Sequence, residues 1–212
     1  QITSKMGFFA TFQFEGKGQY SNTWAAEKGK NILCSFLVHK QLGTYKPETL
    51  NNAATLAVFN LLETSGLENI KIKWPNDIYI KDKKIAGILV ENSFIGSVLE
   101  YSIIGIGVNI NQTNFSGFEA TSTFNETGIE LDLQTLSLKL YDNVYRLINL
   151  LPRNLLNRIN NVLYKKGENV TFSAEEGIRN GVVSQILPNG NLEVIEGMQV
   201  LELKHHINKW IK

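Results

Sequence analysis

Short segments of this sequence combine glycine, lysine and asparagine at spacings that suit chemistry on anions. The first is Gly16-Lys17-Gly18, which follows an aromatic run at residues 7–14 (GFFATFQF). The two glycines allow backbone N–H groups to approach a phosphate or carboxylate, and Lys17 adds a positive charge. The spacing fits neither the dinucleotide fingerprint nor a P-loop, so an ordinary turn remains the alternative.

The second segment is residues 73–77 (KWPND), at the end of an apolar run. Pro75 fixes φ and lacks a donor, so the chain must turn there. Lys73 alternates with Ile70 and Ile72, and in a cleft it would neutralise charge that develops during phosphoryl or adenylyl transfer. A solvated lysine beside a structural Asn-Asp turn is the alternative.

The remaining segments are apolar strand-like runs that contain glycine. Gly87 lies in residues 85–91 (IAGILVE), where a glycine indicates a bulge or the close approach of a ligand. In residues 103–111 (IIGIGVNIN), Gly105 and Gly107 leave one strand face without side chains, which gives room for a flat ligand. Asn109 continues that face, and its amide suits a purine edge. Tight packing against neighbouring protein groups is the alternative.

Period-2 and helical apolar patterns predict the elements that position these residues. The predicted strands are residues 7–14, 31–40, 70–74, 77–80, 84–94 and 98–111. The predicted helices are residues 49–65, 133–151 and 155–164, and the polar stretch 112–127 is predicted to be a loop. We therefore expect an α+β domain over residues 1–164, with a mixed or antiparallel sheet packed against helices.

The pattern changes near Lys165, where short strand-like runs alternate with turn signals. These runs are residues 169–172, 179–187, 191–195 and 199–203, with a strong turn at Pro188-Asn189-Gly190. We predict a small β-barrel over residues 165–212.

Composition excludes several classes of protein. The net charge is +1, so no general binding to nucleic acid or to an anionic membrane is expected. No apolar run is long enough for a membrane span, no secretory signal is recognisable, and the single cysteine, Cys34, is expected to be a buried thiol in a reducing cytoplasm. No Cys/His spacing predicts a metal site. The sequence does not begin with Met, so we expect the natural N-terminus to lie upstream.

The order of these segments resembles the biotin protein ligases, also called biotin–[acetyl-CoA-carboxylase] ligases. A strand is followed by a GKG loop with a later Trp24, then by KWPND-x9-GILVE, and then by GIGVNIN. The resemblance covers residues 7–128 well and the C-terminal part in outline. It implies the class II aminoacyl-tRNA synthetase-like fold of that family, followed by a small SH3-like barrel.

The resemblance also implies a reaction. Biotin is expected to attack the α-phosphate of ATP, with Mg²⁺ screening the phosphates, to give biotinyl-5′-AMP and pyrophosphate. A lysine of a biotin carboxyl carrier protein domain then takes the biotin. Dimerisation is known among relatives and is open for this chain.

Residue roles follow from the same resemblance. The residues assigned to biotin are Gln13, Lys17, Gly18, Gln19, Lys73 and Gly87. Those assigned to ATP or the adenylate are Gly16, Lys17, Gly18, Trp24 and Asn109. Lys73 and Gln19 are the predicted catalytic residues, with Lys73 contacting biotin and the phosphoryl group.

Departures from the family pattern leave alternatives open. Many members have arginine at the position of Gln19 and glycine at that of Ser21, and the family's Ser-Thr-Asn biotin motif does not occur before the GKG loop. A non-catalytic biotin-binding paralogue and a biotin-responsive repressor are therefore alternatives. A lipoate–protein ligase is a further one, although the Trp-Pro pair and the GKG loop disfavour it.

Overall fold

A computed structural model describes residues 5–19, 22–174 and 177–211 of the chain. Within this part, one sheet contains β1 (Met6–Ala10), β2 (Asn31–His39), β3 (Ile70–Lys73), β4 (Asp77–Ile80), β5 (Lys83–Ile95) and β6 (Val98–Asn109). The α-helices are α1 (Pro47–Thr64), α2 (Thr123–Thr127), α3 (Leu133–Leu147) and α4 (Pro152–Asn161). A second sheet contains β7 (Asn169–Ala174), β8 (Gly177–Ile186), β9 (Leu192–Glu196), β10 (Gln199–Leu203) and β11 (Trp210–Ile211). The predicted α+β class is confirmed.

The first sheet has the order β1-β2-β6-β5-β4-β3, and each neighbouring pair is antiparallel. β4 has the predicted bounds, and β2 and β3 differ from them by one residue at an end. The agreement arises because β2 is a nearly continuous apolar run, β3 and β4 alternate apolar and polar residues, and turn residues bound these strands. β1 is shorter than predicted, since its pairing with β2 stops at Ala10 and the chain then turns towards the glycine loop.

Helices α1 and α3 cover one face of this sheet. Helix α1 starts at Pro47, where the missing N–H costs nothing, and ends before Gly66, which has a left-handed φ of 84°. Its packing buries one side of each central strand, including Ile104 and Val108 of β6. The glycines of β6 lie on the opposite face, as the alternation predicted.

A tyrosine of α3 fixes the edge strand β1. The Tyr145 hydroxyl accepts a hydrogen bond from the Met6 amide at 3.0 Å and lies 2.7 Å from the Met6 carbonyl oxygen. It also lies 2.8 Å from the Leu37 carbonyl oxygen of β2. Burial raises the pKa of Tyr145 to about 12, so the hydroxyl keeps its proton. This side chain thereby holds the strand that leads into the glycine loop.

The second sheet has the order β10-β9-β8-β7-β11. Its turn at Gly190 is confirmed by the bond from the Gly190 amide to the Leu187 carbonyl at 2.9 Å. Strand β11 was not predicted, because two residues carry no periodic signal and the strand exists through its pairing with β7. The described strands form one open antiparallel ladder, and an SH3-like barrel stays a prediction.

Two further predictions need correction. The stretch predicted as a loop contains α2, which Ser122 caps by accepting a bond from the Asn125 amide at 3.1 Å. A helix of this length is too short to show periodicity in the sequence. Helix α3 ends at Leu147 and not at the predicted residue 151, because the Leu150 amide bonds the Leu147 carbonyl at 2.9 Å in a turn and Leu151, which precedes Pro152, is extended.

The predicted boundary between residues 164 and 165 lies between α4 and β7, yet the two sheets are in contact. The Asn160 side chain of α4 bonds both the amide and the carbonyl of Ile186, at 2.7 and 3.0 Å. The Trp74 indole N–H donates to the Gly190 carbonyl at 2.9 Å. Buried apolar residues of both sheets belong to one continuous core.

Cys34 is buried on β2, as expected, and burial raises the pKa of its thiol. In the ranges that the structure describes, we find no helix with the length and apolarity that crossing a membrane requires.

The role of Tyr145 is testable by removing its hydroxyl. Tyr145→Phe should lower the free energy of unfolding by about 1–2 kcal/mol, because the part-buried Met6 amide loses its acceptor and the hydroxyl's bonds to the Met6 and Leu37 carbonyl oxygens are lost. Urea denaturation followed by circular dichroism measures the change. The matched control is Tyr141→Phe, whose hydroxyl donates to the Lys5 carbonyl at an exposed position and should matter less. Equal losses in the two variants would contradict this role.

Candidate functional site

Two cavities meet on the sheet face that the helices leave uncovered. The first, here called the sheet cavity, has a volume of about 370 Å³. Its lining from the sheet includes Phe8, Leu33, Ser35, Leu89, Ile103 and Gly105. The second, here called the loop cavity, has a volume of about 630 Å³ and lies between the glycine loop and residues 112–120. Trp24 and Lys84 line both cavities.

The glycine loop is a short hairpin beside the sheet cavity. Lys17 and Thr23 form an antiparallel bridge, and the Trp24 amide donates to the Gly16 carbonyl at 2.8 Å. A β-carbon on Gly16 would overlap the backbone carbonyl oxygen of Trp24, so only glycine fits there. The loop brings the predicted residues Gln13, Lys17, Gly18 and Gln19 to the lining of the sheet cavity. The departure at Ser21 falls outside the described residues.

The Trp24 indole lies on the glycines of the sheet. A β-carbon on Gly107 would overlap its ring, and one on Gly87 would lie 3.1 Å from its Cζ3 atom. The expected room for a flat ligand is therefore filled at Gly107 by a side chain of the protein itself. At Gly105 the space is open, since an added β-carbon would meet nothing nearer than 3.7 Å. The indole N–H is buried and has no hydrogen-bond partner.

Lys84 lies where the two cavities join. Its ammonium is 2.7 Å from an Asp77 carboxylate oxygen and 5.6 Å from the centre of the Trp24 ring. A β-carbon on Gly87 would lie 3.2 Å from the Lys84 Nζ atom, so the glycine makes room for the ammonium as well as the indole. Among the described residues, the lysines that line these cavities are Lys17 and Lys84.

A β-bulge explains why the sequence did not single out Lys84. Residues three apart on a regular strand face opposite sides, so an unbroken strand would place Lys84 and Gly87 on different faces. In the structure Ile78 pairs with Ala86 but Tyr79 pairs with Lys84, which leaves Ile85 as an extra residue. The bulge brings the lysine round to the side of the glycine. The sequence signal for the bulge was the pair of consecutive apolar residues Ile85 and Ala86, which interrupts the alternation and is buried in the structure.

Lys73 has a different environment from the one predicted. Its Nζ atom lies 3.5 Å from the Tyr79 hydroxyl and 4.6 Å from the centre of that ring. The rings of Tyr164 and Trp210 are 5.7 and 5.6 Å away. Lys73 lines neither cavity, because its side chain extends behind Tyr79 towards the second sheet. The direct contact of Lys73 with biotin and the phosphoryl group stays a prediction, and of these two lysines Lys84 is the one that lines the cavities.

The turn after Lys73 is structural. The buried Asn76 side-chain amide donates to the Ile88 carbonyl, and the Ile88 amide donates to the Asn76 carbonyl at 3.1 Å. The Asn51 side chain of α1 donates to the Pro75 carbonyl at 3.1 Å. These bonds fix the position of Asp77, which in turn holds Lys84.

Asn109 lines the loop cavity with an unused acceptor. Asn109 is buried, and its side-chain amide nitrogen donates to the Thr121 carbonyl at 3.0 Å. Because the nitrogen is on the side of Thr121, the amide oxygen points away from Thr121. That oxygen has no partner. Tyr79 lines the same cavity, and burial with the nearby Asp77 charge raises the pKa of Tyr79 to about 12. The loop cavity thus offers an acceptor and a neutral aromatic wall.

Within residues 5–19, 22–174 and 177–211, no group of three or more His, Cys, Asp or Glu could hold a metal ion. Carboxylates still occur at both cavities, with Glu91 at the sheet cavity and Glu119 at the loop cavity.

Sequence comparison relates the chain to known proteins. A model of the biotin/lipoate A/B protein ligase family matches residues 3–109. The bifunctional ligase/repressor BirA of Escherichia coli is 29% identical over 143 residues, which are 66% of this chain and 44% of that protein. The biotin–[acetyl-CoA-carboxylase] ligase of Paracoccus denitrificans is 33% identical over 100 residues, which are 46% of this chain and 41% of that protein. The match thus spans less than half of either relative.

Structural comparison supports the fold. The biotin protein ligase of Aquifex aeolicus in complex with biotin and ATP has a TM-score of 0.83 and 22% identity, over 97% of this chain and 88% of that one. The Leishmania major biotin protein ligase in complex with biotinyl-5-AMP has a TM-score of 0.64 and 23% identity, over 94% and 88% of the two chains. The predicted biotin protein ligase fold is confirmed.

Adding a methyl group at each glycine of β6 tests the packing of Trp24. Gly107→Ala should displace the indole into water and shift its fluorescence to longer wavelength, with a loss of about 1–3 kcal/mol in stability from overpacking. Gly105→Ala is the matched control, because its methyl group would make only ordinary contacts with Leu89 and should leave the emission unchanged. The emission difference from wild type isolates the effect from Trp74 and Trp210. An unshifted spectrum for Gly107→Ala would contradict the packing.

Proposed function

The chain belongs to the biotin/lipoate A/B protein ligase family, and we propose that it activates biotin with ATP and ligates it to a protein lysine. One observation carries the proposal: two cavities of different character join at a single ammonium group, that of Lys84. Joining a carboxylate to a phosphate requires two anions to meet at one point. A cation held at the junction of two pockets meets that requirement.

We assign biotin to the sheet cavity. Its floor is apolar sheet surface opened by Gly105, and polar groups of the loop, among them Gln13 and Gln19, stand at its rim. Pockets of this size with few polar groups are typical small-molecule sites. Gln19 carries no charge, so in this proposal it hydrogen-bonds the biotin carboxylate while Lys17 contributes the positive charge of the loop.

We assign the nucleotide to the loop cavity. The unpartnered Asn109 oxygen would accept a hydrogen bond from the exocyclic amine of adenine. Tyr79, Phe115 and Trp24 supply aromatic surface against which a base packs. Magnesium would enter with the ATP phosphates as part of the substrate, keeping water and phosphate oxygens as most of its ligands.

In this mechanism Lys84 takes the phosphate-contacting role that the sequence resemblance gave to Lys73. A biotin carboxylate oxygen attacks the α-phosphorus, the bond to the bridging oxygen breaks, and pyrophosphate leaves. Lys84 stabilises the negative charge that grows on the α-phosphate. Asp77 holds the ammonium in place before the substrates arrive.

The second step transfers biotin to protein. The amine of a carrier lysine attacks the acyl carbon of biotinyl-5′-AMP, loses a proton, and expels AMP. A biotin carboxyl carrier protein domain is the proposed partner, supported by the similarity to the Paracoccus denitrificans ligase. The loop over the sheet cavity would keep water from the anhydride. We expect the reaction to run in the cytoplasm, and a homodimer remains open.

Biotin-dependent ATP–pyrophosphate exchange by the full-length protein tests the proposed function. We expect exchange with biotin and none when lipoate replaces it, because the adenylate forms only with the acid that fits the sheet cavity. Exchange with lipoate alone would favour the lipoate ligase alternative. Absence of exchange with either acid would reject the ligase proposal.

Neutralising Lys84 tests its role in the same assay. Lys84→Met should lower the exchange rate by about 100-fold or more, the usual effect of losing one group that stabilises a transition-state oxyanion. The matched control is Lys83→Met, since Lys83 is the preceding residue and is exposed. The control should retain its rate within about twofold, as surface substitutions usually do. An active Lys84→Met enzyme would refute the assignment.

A further inference from the structure

Lys73 joins the second sheet to the wall of the loop cavity. Its ammonium lies among three aromatic rings that belong to different parts of the chain: Tyr79 on β4, Tyr164 after α4, and Trp210 on β11. We propose that Lys73 is a positioning residue, which acts through Tyr79 to hold the nucleotide side of the cleft in register with the second sheet. The proposal rests on the proposed function for the identity of the nucleotide.

The three rings form a continuous row. The centres of Tyr79 and Tyr164 are 5.3 Å apart, and those of Tyr164 and Trp210 are 5.9 Å apart. An ammonium within about 6 Å of an aromatic ring centre is attracted by the ring, and the attraction grows when water is excluded. Lys73 is within that distance of each ring, so one cation draws the row together.

The middle ring of the row, Tyr164, and the end ring, Trp210, are both anchored. The Tyr164 hydroxyl bonds Asp82 in the turn before Lys84, and the Tyr164 amide donates to the Ile72 carbonyl at 2.8 Å. Trp210 pairs with Phe172 of β7. A shift of the second sheet would therefore be transmitted through Tyr164 to the neighbouring ring of Tyr79.

Tyr79 is the point at which the row reaches the substrates. It is buried, lines the loop cavity, and is the register partner of Lys84 across the bulge. It does not line the sheet cavity. Loss of the cation would therefore loosen the nucleotide side and leave the biotin side intact. A residue that contacts both substrates directly would affect both sides.

Steady-state exchange kinetics with Lys73 variants separate these outcomes. Lys73→Met should raise KM for ATP by about tenfold, the equivalent of one desolvated cation–π contact, and leave KM for biotin within about twofold. Lys73→Arg keeps the cation and should restore most of the affinity for ATP. The matched control is Lys71→Met, which removes an exposed lysine from the same strand and should change neither constant.

A double-mutant cycle tests the link to the second sheet. Trp210→Leu should reproduce the rise in KM for ATP, and adding Lys73→Met should increase it little further, since both changes remove the same contact. If circular dichroism shows that the Trp210→Leu variant does not fold, Trp210→Phe, which keeps a smaller ring, replaces it in the cycle. Additive effects would overturn the proposal.

Other outcomes are equally decisive. A fall in kcat with both KM values unchanged, or equal rises in both KM values, would overturn positioning through Tyr79 and favour direct contact by Lys73. A wild-type protein without exchange activity would reject the proposed function instead. An active wild type whose Lys73→Met variant has unchanged kinetics rejects the positioning role alone.

Discussion

The paired hydrogen bonds between Asn76 and Ile88 are the constraint on which the site depends. They hold the turn after β3 against β5 through both the side chain and the backbone of one buried residue. An amide left unpaired there would cost about 1–3 kcal/mol, so the turn has one stable position. That position brings Asp77 opposite Gly87, from where it reaches Lys84. The position of the Lys84 ammonium at the junction of the cavities therefore depends on hydrogen bonds between uncharged groups of this turn and β5.

Glycines, which have no side chain beyond hydrogen, shape the rest of the cleft. Gly107 and Gly87 accept the Trp24 indole, which separates the two cavities, while Gly105 leaves the sheet cavity open. The indole comes from the glycine loop, so loop and sheet are complementary in shape before any substrate binds. Filling the space above the glycines with an indole of the chain itself gives the cleft two compartments instead of one flat groove.

The sequence predicted the central elements well and the peripheral ones poorly. The strands β2 to β4 and the helix α1 have strong apolar periodicity and clear turn or capping residues at their ends. The short elements α2 and β11 have neither, and they form because a cap or a neighbouring strand is available in the folded chain. Periodicity measures burial along a segment and carries no information about its partners.

The sequence by itself determined the fold family, the glycine loop and the presence of a lysine-bearing strand beside a turn. The tertiary structure decided which of the two lysines lines the cavities. The sequence singled out Lys73, but the bulge at Ile85 brings Lys84 round to the side of Gly87, and the rings of Tyr79, Tyr164 and Trp210 surround the Lys73 ammonium behind Tyr79. Both effects arise from contacts between segments distant in sequence, and for that reason no local pattern contains them.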